Sequence, residues 1–176
     1  MRKTFFVVCL VVCCSMIAIA QDYKKAEVFG GYQWTSMDFG AGNDRQNFNG
    51  WNAALTGYMN NNFGITADFS GSYKSESGVS VKSYTYMFGP TLRAPMDNAT
   101  PFVHALFGGV HESASASGLG GLGSDSSFAY AIGGGFDYNM SPGVAIRVAQ
   151  FDFLGTRFGG ETQKNFRYSG GIVFKF

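Results

Sequence analysis

The chain has 176 residues, 13 Lys and Arg against 12 Asp and Glu, a mean hydropathy near zero, 25 glycines and 16% aromatic residues. Charges this close to balance, with no basic stripe, exclude an ordinary nucleic-acid surface, and the length suits one domain. All three cysteines, Cys9, Cys13 and Cys14, lie near the N-terminus, which sets aside a disulfide scaffold, a thiolate metal site and a Cys nucleophile in everything that follows them.

Arg2 and Lys3 precede an uncharged, mostly apolar run over 4–19, and the small Ala18 and Ala20 precede the polar Gln21, Asp22, Tyr23, Lys24 and Lys25. That order is the pattern of a secretory signal peptide, so residues 1–20 are expected to be cleaved after Ala20 and the mature domain to run over 21–176. A permanent helical anchor needs about 20 apolar residues, and this run is shorter and ends in a cleavage site. A lipid-modified cysteine is disfavoured because Val12 and Cys13, not small residues, precede the candidates Cys13 and Cys14.

Beyond Ala20 the signal is a period of two. Successive side chains of a strand point to opposite faces, so strict alternation marks a strand between two different media. The first strand is predicted over 26–35, with Val28, Gly30, Tyr32 and Trp34 opposite Glu27, Phe29, Gly31 and Gln33. The second, over 50–59, sets Trp51, Ala53, Leu55, Gly57 and Met59 against Asn52, Ala54, Thr56 and Tyr58. The third, over 63–73, sets Phe63, Ile65, Ala67, Phe69 and Tyr73 against Thr66, Asp68, Ser70 and Ser72. The fourth, over 81–93, sets Tyr84, Tyr86, Phe88 and Leu92 against Ser83, Thr85, Met87, Thr91 and Arg93.

In the fifth, over 101–110, Val103, Ala105 and Phe107 are assigned outward because that choice keeps His104 inside with Phe102 and Leu106. The sixth, over 128–138, sets Phe128, Tyr130, Ile132, Phe136 and Tyr138 against Ala129, Ala131, Gly133, Gly135 and Asp137. The seventh, over 144–153, sets Val144, Ile146 and Val148 against Ala145, Arg147 and Ala149. Asp152 then falls on the greasy parity, which requires that the strand has left the membrane or that a bulge shifts its register. The eighth, over 166–176, alternates Phe166, Tyr168, Gly170, Ile172, Phe174 and Phe176 with Arg167, Ser169, Gly171, Val173 and Lys175. About 9–11 residues suffice for a tilted strand to cross a bilayer.

Connections after strands two, four and six are short and rich in Asn, Pro and Gly: 60–62, 94–100 and 139–143. Those after strands one, three, five and seven, 36–49, 74–80, 111–127 and 154–165, are mostly longer and more polar. Short turns at one end and long loops at the other, with an even strand number, describe an all-β, eight-stranded antiparallel up-and-down transmembrane barrel whose long loops face outside the cell.

Together with the leader and the terminal Tyr168, Gly170, Ile172, Phe174 and Phe176, these segments resemble the small OmpA-type and OmpX-type outer-membrane barrels. The phrases Glu27-Val28-Phe29-Gly30-Gly31-Tyr32, Phe63-Gly64-Ile65-Thr66-Ala67-Asp68-Phe69, Pro101-Phe102-Val103-His104-Ala105-Leu106-Phe107-Gly108 and Ala145-Ile146-Arg147-Val148-Ala149-Gln150-Phe151-Asp152 are similar to those of outer-membrane beta-barrel domain proteins of Gram-negative soil bacteria. The resemblance covers nearly all of 21–176 and includes no peptidoglycan-binding domain. It implies a bacterial outer-membrane location reached through the periplasm, contact with outer-membrane lipid and lipopolysaccharide, and recognition by the barrel assembly machinery through the strand ending at Phe176. A monomer is expected, with an unidentified surface ligand and no nucleic acid.

The inward parity collects Glu27, Asp68 and Asp137 with Arg93, His104, Arg147, Arg167 and Lys175. Eight strands enclose a lumen just wide enough for side chains to fill, so a plug of ion pairs is expected there and not a channel. Catalysis would need an activated nucleophile and a base. The two histidines are His104, which lacks a neighbouring Ser, and His111, which stands beside Glu112, Ser113 and Ser115 in what reads as the third long loop. Two histidines seven residues apart among scattered acids match no metal-ligand spacing, and no cofactor-binding or catalytic residue is assigned. The expected role is structural or interactive, through the outer loops. A small-solute porin and, below it, a lipid A-modifying hydrolase or acyltransferase are the alternatives.

Overall fold

Alternating segments become strands here because a closed ladder satisfies every backbone amide while giving one face to lipid and the other to the interior. The computed structural model describes residues 24–38, 45–76, 79–116, 120–158 and 161–176. The expected leader with its cleavage site after Ala20 lies outside the described residues, as do the middle of the first long connection (39–44) and the tips 77–78, 117–119 and 159–160. The strands are β1 (Ala26–Met37), β2 (Gln46–Tyr58), β3 (Phe63–Glu76), β4 (Val79–Arg93), β5 (Ala99–Ala116), β6 (Gly120–Ser141), β7 (Val144–Phe158) and β8 (Glu161–Lys175). Each pairs antiparallel with the next, and β1 pairs with β8 from Glu27↔Lys175 to Ser36↔Phe166, so the sheet closes in chain order. Beyond the last strand the seam is tied by Lys25 N donating to Phe176 O (2.7 Å) and Phe176 N to Ala26 O (2.8 Å).

The predicted faces of strands one to six and eight are found as assigned. Ile132 is 57% exposed while its neighbours Ala129 and Ala131 are fully buried, and Val103 and Phe107 lie outside with His104 and Leu106 inside. At the short-turn end, Asn60 Oδ1 accepts from Asn62 N (2.9 Å) and Phe63 N (2.7 Å), which lets an Asn side chain do the work of a backbone turn. Ser141 and Val144 pair directly, leaving Pro142 and Gly143 as a two-residue turn.

Two expectations change. The seventh strand does not keep one parity: on the β8 side Arg147 pairs with Gly171 and Gln150 with Ser169, so β7 carries one extra residue between them. After this bulge at Val148 and Ala149, the inward positions become Gln150, Asp152 and Leu154, all buried, and Phe151 turns outward. Asp152 is therefore a lumen residue, and the bulge, not departure from the membrane, is the reason.

The second change concerns the long connections. Residues 111–127, read as a loop, are mostly ladder, since β5 and β6 stay paired from Val110↔Ser127 out to Ala116↔Gly120. Residues 36–49, 74–80 and 154–165 are likewise extended by strand, with Met37↔Gln46, Glu76↔Val79 and Phe158↔Glu161 as the outermost pairs.

Candidate functional site

The lumen is built from the inward position of every strand, and its charges meet in two linked layers. In the middle layer Arg167, fully buried, donates from Nη1 to Asp68 Oδ1 (2.7 Å) and from Nε to Asp152 Oδ2 (2.8 Å). His104 Nε2 meets the other Asp152 oxygen at 2.7 Å, and Asn52 Nδ2 donates to Asp68 Oδ2 at 2.9 Å. Nearer the short-turn end Arg147 forks onto Asp137 (2.8 and 3.1 Å) between the rings of Phe29 and Phe102, 4.4 and 4.1 Å from its guanidinium carbon. Arg93 pairs with Glu27 at 2.6 Å and lies 3.5 Å over the Tyr58 ring, whose hydroxyl donates to the same carboxylate. Gln150 joins the layers, accepting from Arg147 Nη1 and donating to Asp152 Oδ2, both at 2.8 Å.

Such a network is required by the medium. A charge in a narrow, low-dielectric lumen is costly unless it is paired and hydrogen-bonded, and forked guanidinium contacts meet that demand best. Toward the long-hairpin end the filling turns apolar, with Met87, Leu106, Val110, Ala129, Ala131 and Leu154 in one buried cluster. A gap of about 10 Å³ remains beside Thr66, Asp68, His104 and Gln150, at the lower limit for one water. At the short-turn end a 480 Å³ cleft opens to solvent between Lys24, Asn61, Asn139 and Lys175.

All eight inward ionisable groups assigned from sequence are in the lumen wall, and Asp152 is the one that alternation alone misplaced. The candidate grouping at His111 is not assembled. His111 faces outward with Nδ1 2.8 Å from Ser126 Oγ, while Glu112, next in the strand, faces the other way toward Ser83 at 3.4 Å. Burial pushes the Glu112 carboxyl above its ordinary range, the Ser83 contact pulls it down, and the facing Asp125 charge adds to the rise.

The long-hairpin end holds a second structure that the sequence did not announce. Beyond the closed part, β3, β4, β5 and β6 continue as one plate, paired out to Glu76↔Val79, Val79↔Ala116 and Ala116↔Gly120. Among the described residues, pairing of β6 with β7 begins at Ala129↔Thr156, and the stretch 120–128 of β6 has no described ladder partner on its β7 side. Its edge is roughly 30 Å of strand at about 3.4 Å per residue.

A family model described as the outer membrane protein beta-barrel domain matches residues 5–176. The chain belongs to that family. No curated protein matches it, but solved structures of the same barrel do. Ail, the attachment invasion locus protein of Yersinia pestis, is 20% identical with a TM-score of 0.65, over 88% of this chain and 99% of Ail. Neisserial surface protein A is 13% identical with a TM-score of 0.73, over 89% of this chain and 100% of that one. The N-terminal barrel domain of OprF from Pseudomonas aeruginosa is 11% identical with a TM-score of 0.58, over 88% and 100% of the two chains. At these identities the likeness is one of fold, a small closed barrel; membership of the family is what places the chain in the bacterial outer membrane.

Proposed function

We propose that this outer-membrane barrel is a sealed, non-enzymatic surface-contact protein that presents its β3 to β6 plate outside the cell. The observation that carries the reading is the edge of β6 over 120–128, which has no ladder partner on its β7 side among the described residues. Natural sheets usually cover or blunt such an edge, and an extended segment of another protein can add to it by main-chain hydrogen bonds. The filled lumen supports the same reading, since a side-chain-packed barrel leaves the projecting strands as the part able to meet a partner. Ail, named for attachment and invasion, shows this fold in a protein of surface contact.

The test replaces 113–124 with an Asn-Gly turn, which joins the directly opposed Glu112 and Asp125 by a short hairpin and removes most of the free edge. Cells displaying this variant should insert the barrel normally, judged by heat-modifiable gel mobility, and lose adhesion to host cells or to one another. Undiminished adhesion would count against the edge. Purified wild type in planar bilayers should show no stable conductance; a steady ion current would favour the porin alternative. Release of fatty acid from lipid A, lost on His111→Ala, would favour the enzyme.

Export and assembly belong to the same proposal. Cleavage after Ala20 gives a mature chain that N-terminal sequencing should find beginning at Gln21. The assembly machinery would read the strand that ends in the exposed Phe174 and Phe176, and Phe176→Ala should lower the folded yield. The barrel would work as a monomer among lipopolysaccharide, with a single-protomer mass in neutral detergent.

A further inference from the structure

Charge counted by layer leaves one end of the lumen out of balance. The middle layer sets Arg167 against two carboxylates, Asp68 and Asp152, with His104 on the second. The layer at the short-turn end holds three cations, Arg93, Arg147 and Lys175, against the two carboxylates of Glu27 and Asp137. Arg147 takes Asp137 and Arg93 takes Glu27, so Lys175 shares a carboxylate already in use, 3.9 Å from Glu27 Oε1. Its short contact is to a neutral group, the Asn139 amide oxygen at 2.7 Å. An ammonium carries three N–H donors, so donors remain once Asn139 has taken one.

That surplus charge borders the cleft of about 480 Å³ at the short-turn end, a volume within the range of small-molecule sites. Lys24 stands at its exposed rim, and Asp97 is the carboxylate among its described lining residues. With Arg93 cancelled by Glu27, Lys24 and Lys175 against Asp97 leave one net positive charge. Arg93 is fully engaged, by Glu27, by Asn61 O (2.9 Å) and by Lys24 O (3.0 Å), so it supplies a fixed floor and no contact. The walls are tied as well. Asn139 donates from its backbone N to Asn98 O and from Nδ2 to Met96 O, both at 3.1 Å, which holds the end of β6 to the turn before β5. Lys175 N donates to Gly143 O (2.8 Å), which fixes the strand that carries the ammonium. Between the charges the lining is neutral and polar, with Asn61, Asn98, Thr100 and Ser141 and no aromatic ring among the described residues.

We propose that this cleft binds a small monocarboxylate with a hydroxylated, non-aromatic body, of the sugar-acid class. Lys175 and Lys24 hold the carboxylate, and Asn61, Asn98 and Ser141 meet the hydroxyls. One net positive charge matches one carboxylate, whereas a phosphate dianion overshoots it. Amides and hydroxyls that both donate and accept suit a body that does the same, and a bare small anion leaves them to water. The site lies at the opposite end from the plate of the surface-contact reading and does not depend on it. With the short turns in the periplasm, its ligand is a solute of that compartment.

The experiment titrates the folded, isotope-labelled barrel in neutral detergent micelles and follows amide chemical shifts, with glucuronate, glucose, acetate and glucose 6-phosphate as probes. Glucuronate should shift the side-chain amides of Asn61, Asn98 and Asn139 saturably. Glucose and acetate should each bind at least tenfold more weakly, and glucose 6-phosphate severalfold more weakly at a pH where it is a dianion. Lys175→Met should weaken glucuronate about tenfold, as loss of a charge-assisted contact does. Lys24→Gln should weaken it severalfold, and Lys82→Gln, at the far end of the barrel, should leave it unchanged. Heat-modifiable gel mobility checks that each variant folds; if Lys175→Met does not, Lys24→Glu, a reversal at the exposed rim, must abolish binding. Glucose binding as tightly as glucuronate would remove the role of charge, and acetate doing so would reduce the cleft to a bare anion trap. Either result, tighter binding of glucose 6-phosphate, or wild-type affinity in Lys24→Glu would overturn the proposal. Binding is read in detergent, so its failure is distinct from a failure of the adhesion test on cells.

Discussion

At the scale of single residues, Arg167 holds the middle of the barrel. It neutralises Asp68 and Asp152 from a position with no access to solvent, and each of those carboxylates is also bound by an amide side chain. Replacing it with Met leaves two buried carboxylates facing each other, and breaking a buried pair from one side costs about 3–5 kcal/mol. Arg167→Met should therefore lower the urea midpoint of unfolding in bilayers sharply. Adding Asp68→Asn and Asp152→Asn should restore most of the loss, because it removes the uncompensated charge; no recovery in the triple variant would show that Arg167 acts through packing alone. Gly133 belongs to the same arrangement, since a Cβ there would collide with the Asp152 carboxylate and the Phe151 carbonyl. Alternation was enough to place Arg167 and Asp68 inside. It failed at Asp152 because the bulge falls in Val148-Ala149-Gln150, where neither Gly nor Pro marks a change of register.

At the scale of elements, the two faces of a strand differ only where they meet different media. This is why the membrane-spanning parts of β1 to β8 could be read from sequence, and why the stretch 111–127 could not. Past the outer rings, both faces of the β5 and β6 hairpin meet water, so Ser113 and Ser115 alternate only with the equally small Ala114 and Ala116, neither face is greasy, and a Ser- and Gly-rich strand looks like a loop. The edge on which the proposed function rests was illegible for a further reason: whether β6 meets β7 depends on where the neighbouring hairpin stops. The lipid face itself has a direct test. Ile132 lies outward between the pairs Ala105↔Ile132 and Ile132↔Phe153, and Arg placed there should cost about 2–4 kcal/mol of folding stability if it sits near the bilayer midplane. Denaturant titration followed by gel mobility measures it, and an unchanged midpoint would mean that this face is not in lipid.

At the scale of the whole molecule, the barrel exists only because β1 and β8 meet. Their contact includes a close backbone approach, Gly31 opposite Gly171, where a Cβ on either residue would strike the carbonyl of Gly170 or Gly30. Gly31→Val should wedge the seam and yield protein that runs as unfolded on unheated gels, whereas Gly57→Val, where open space surrounds the Cβ position, should fold. Equal folded yields for the two variants would remove the seam from the list of tight places.

The seam also sets an order in time. β1 is made first, and β2 can cover one of its edges early, but its other edge waits for β8, the last strand to be made. In hydrocarbon an uncovered strand edge is a row of unsatisfied amides, so no partial sheet of this chain is a stable lodger in the membrane. Closing a loop that spans nearly the whole sequence is slow, and until it happens the early strands must be kept from pairing with other chains. A chain cut short anywhere before β8 therefore shares one fate, however late the break falls: it reaches the membrane with two raw edges and no way to join them.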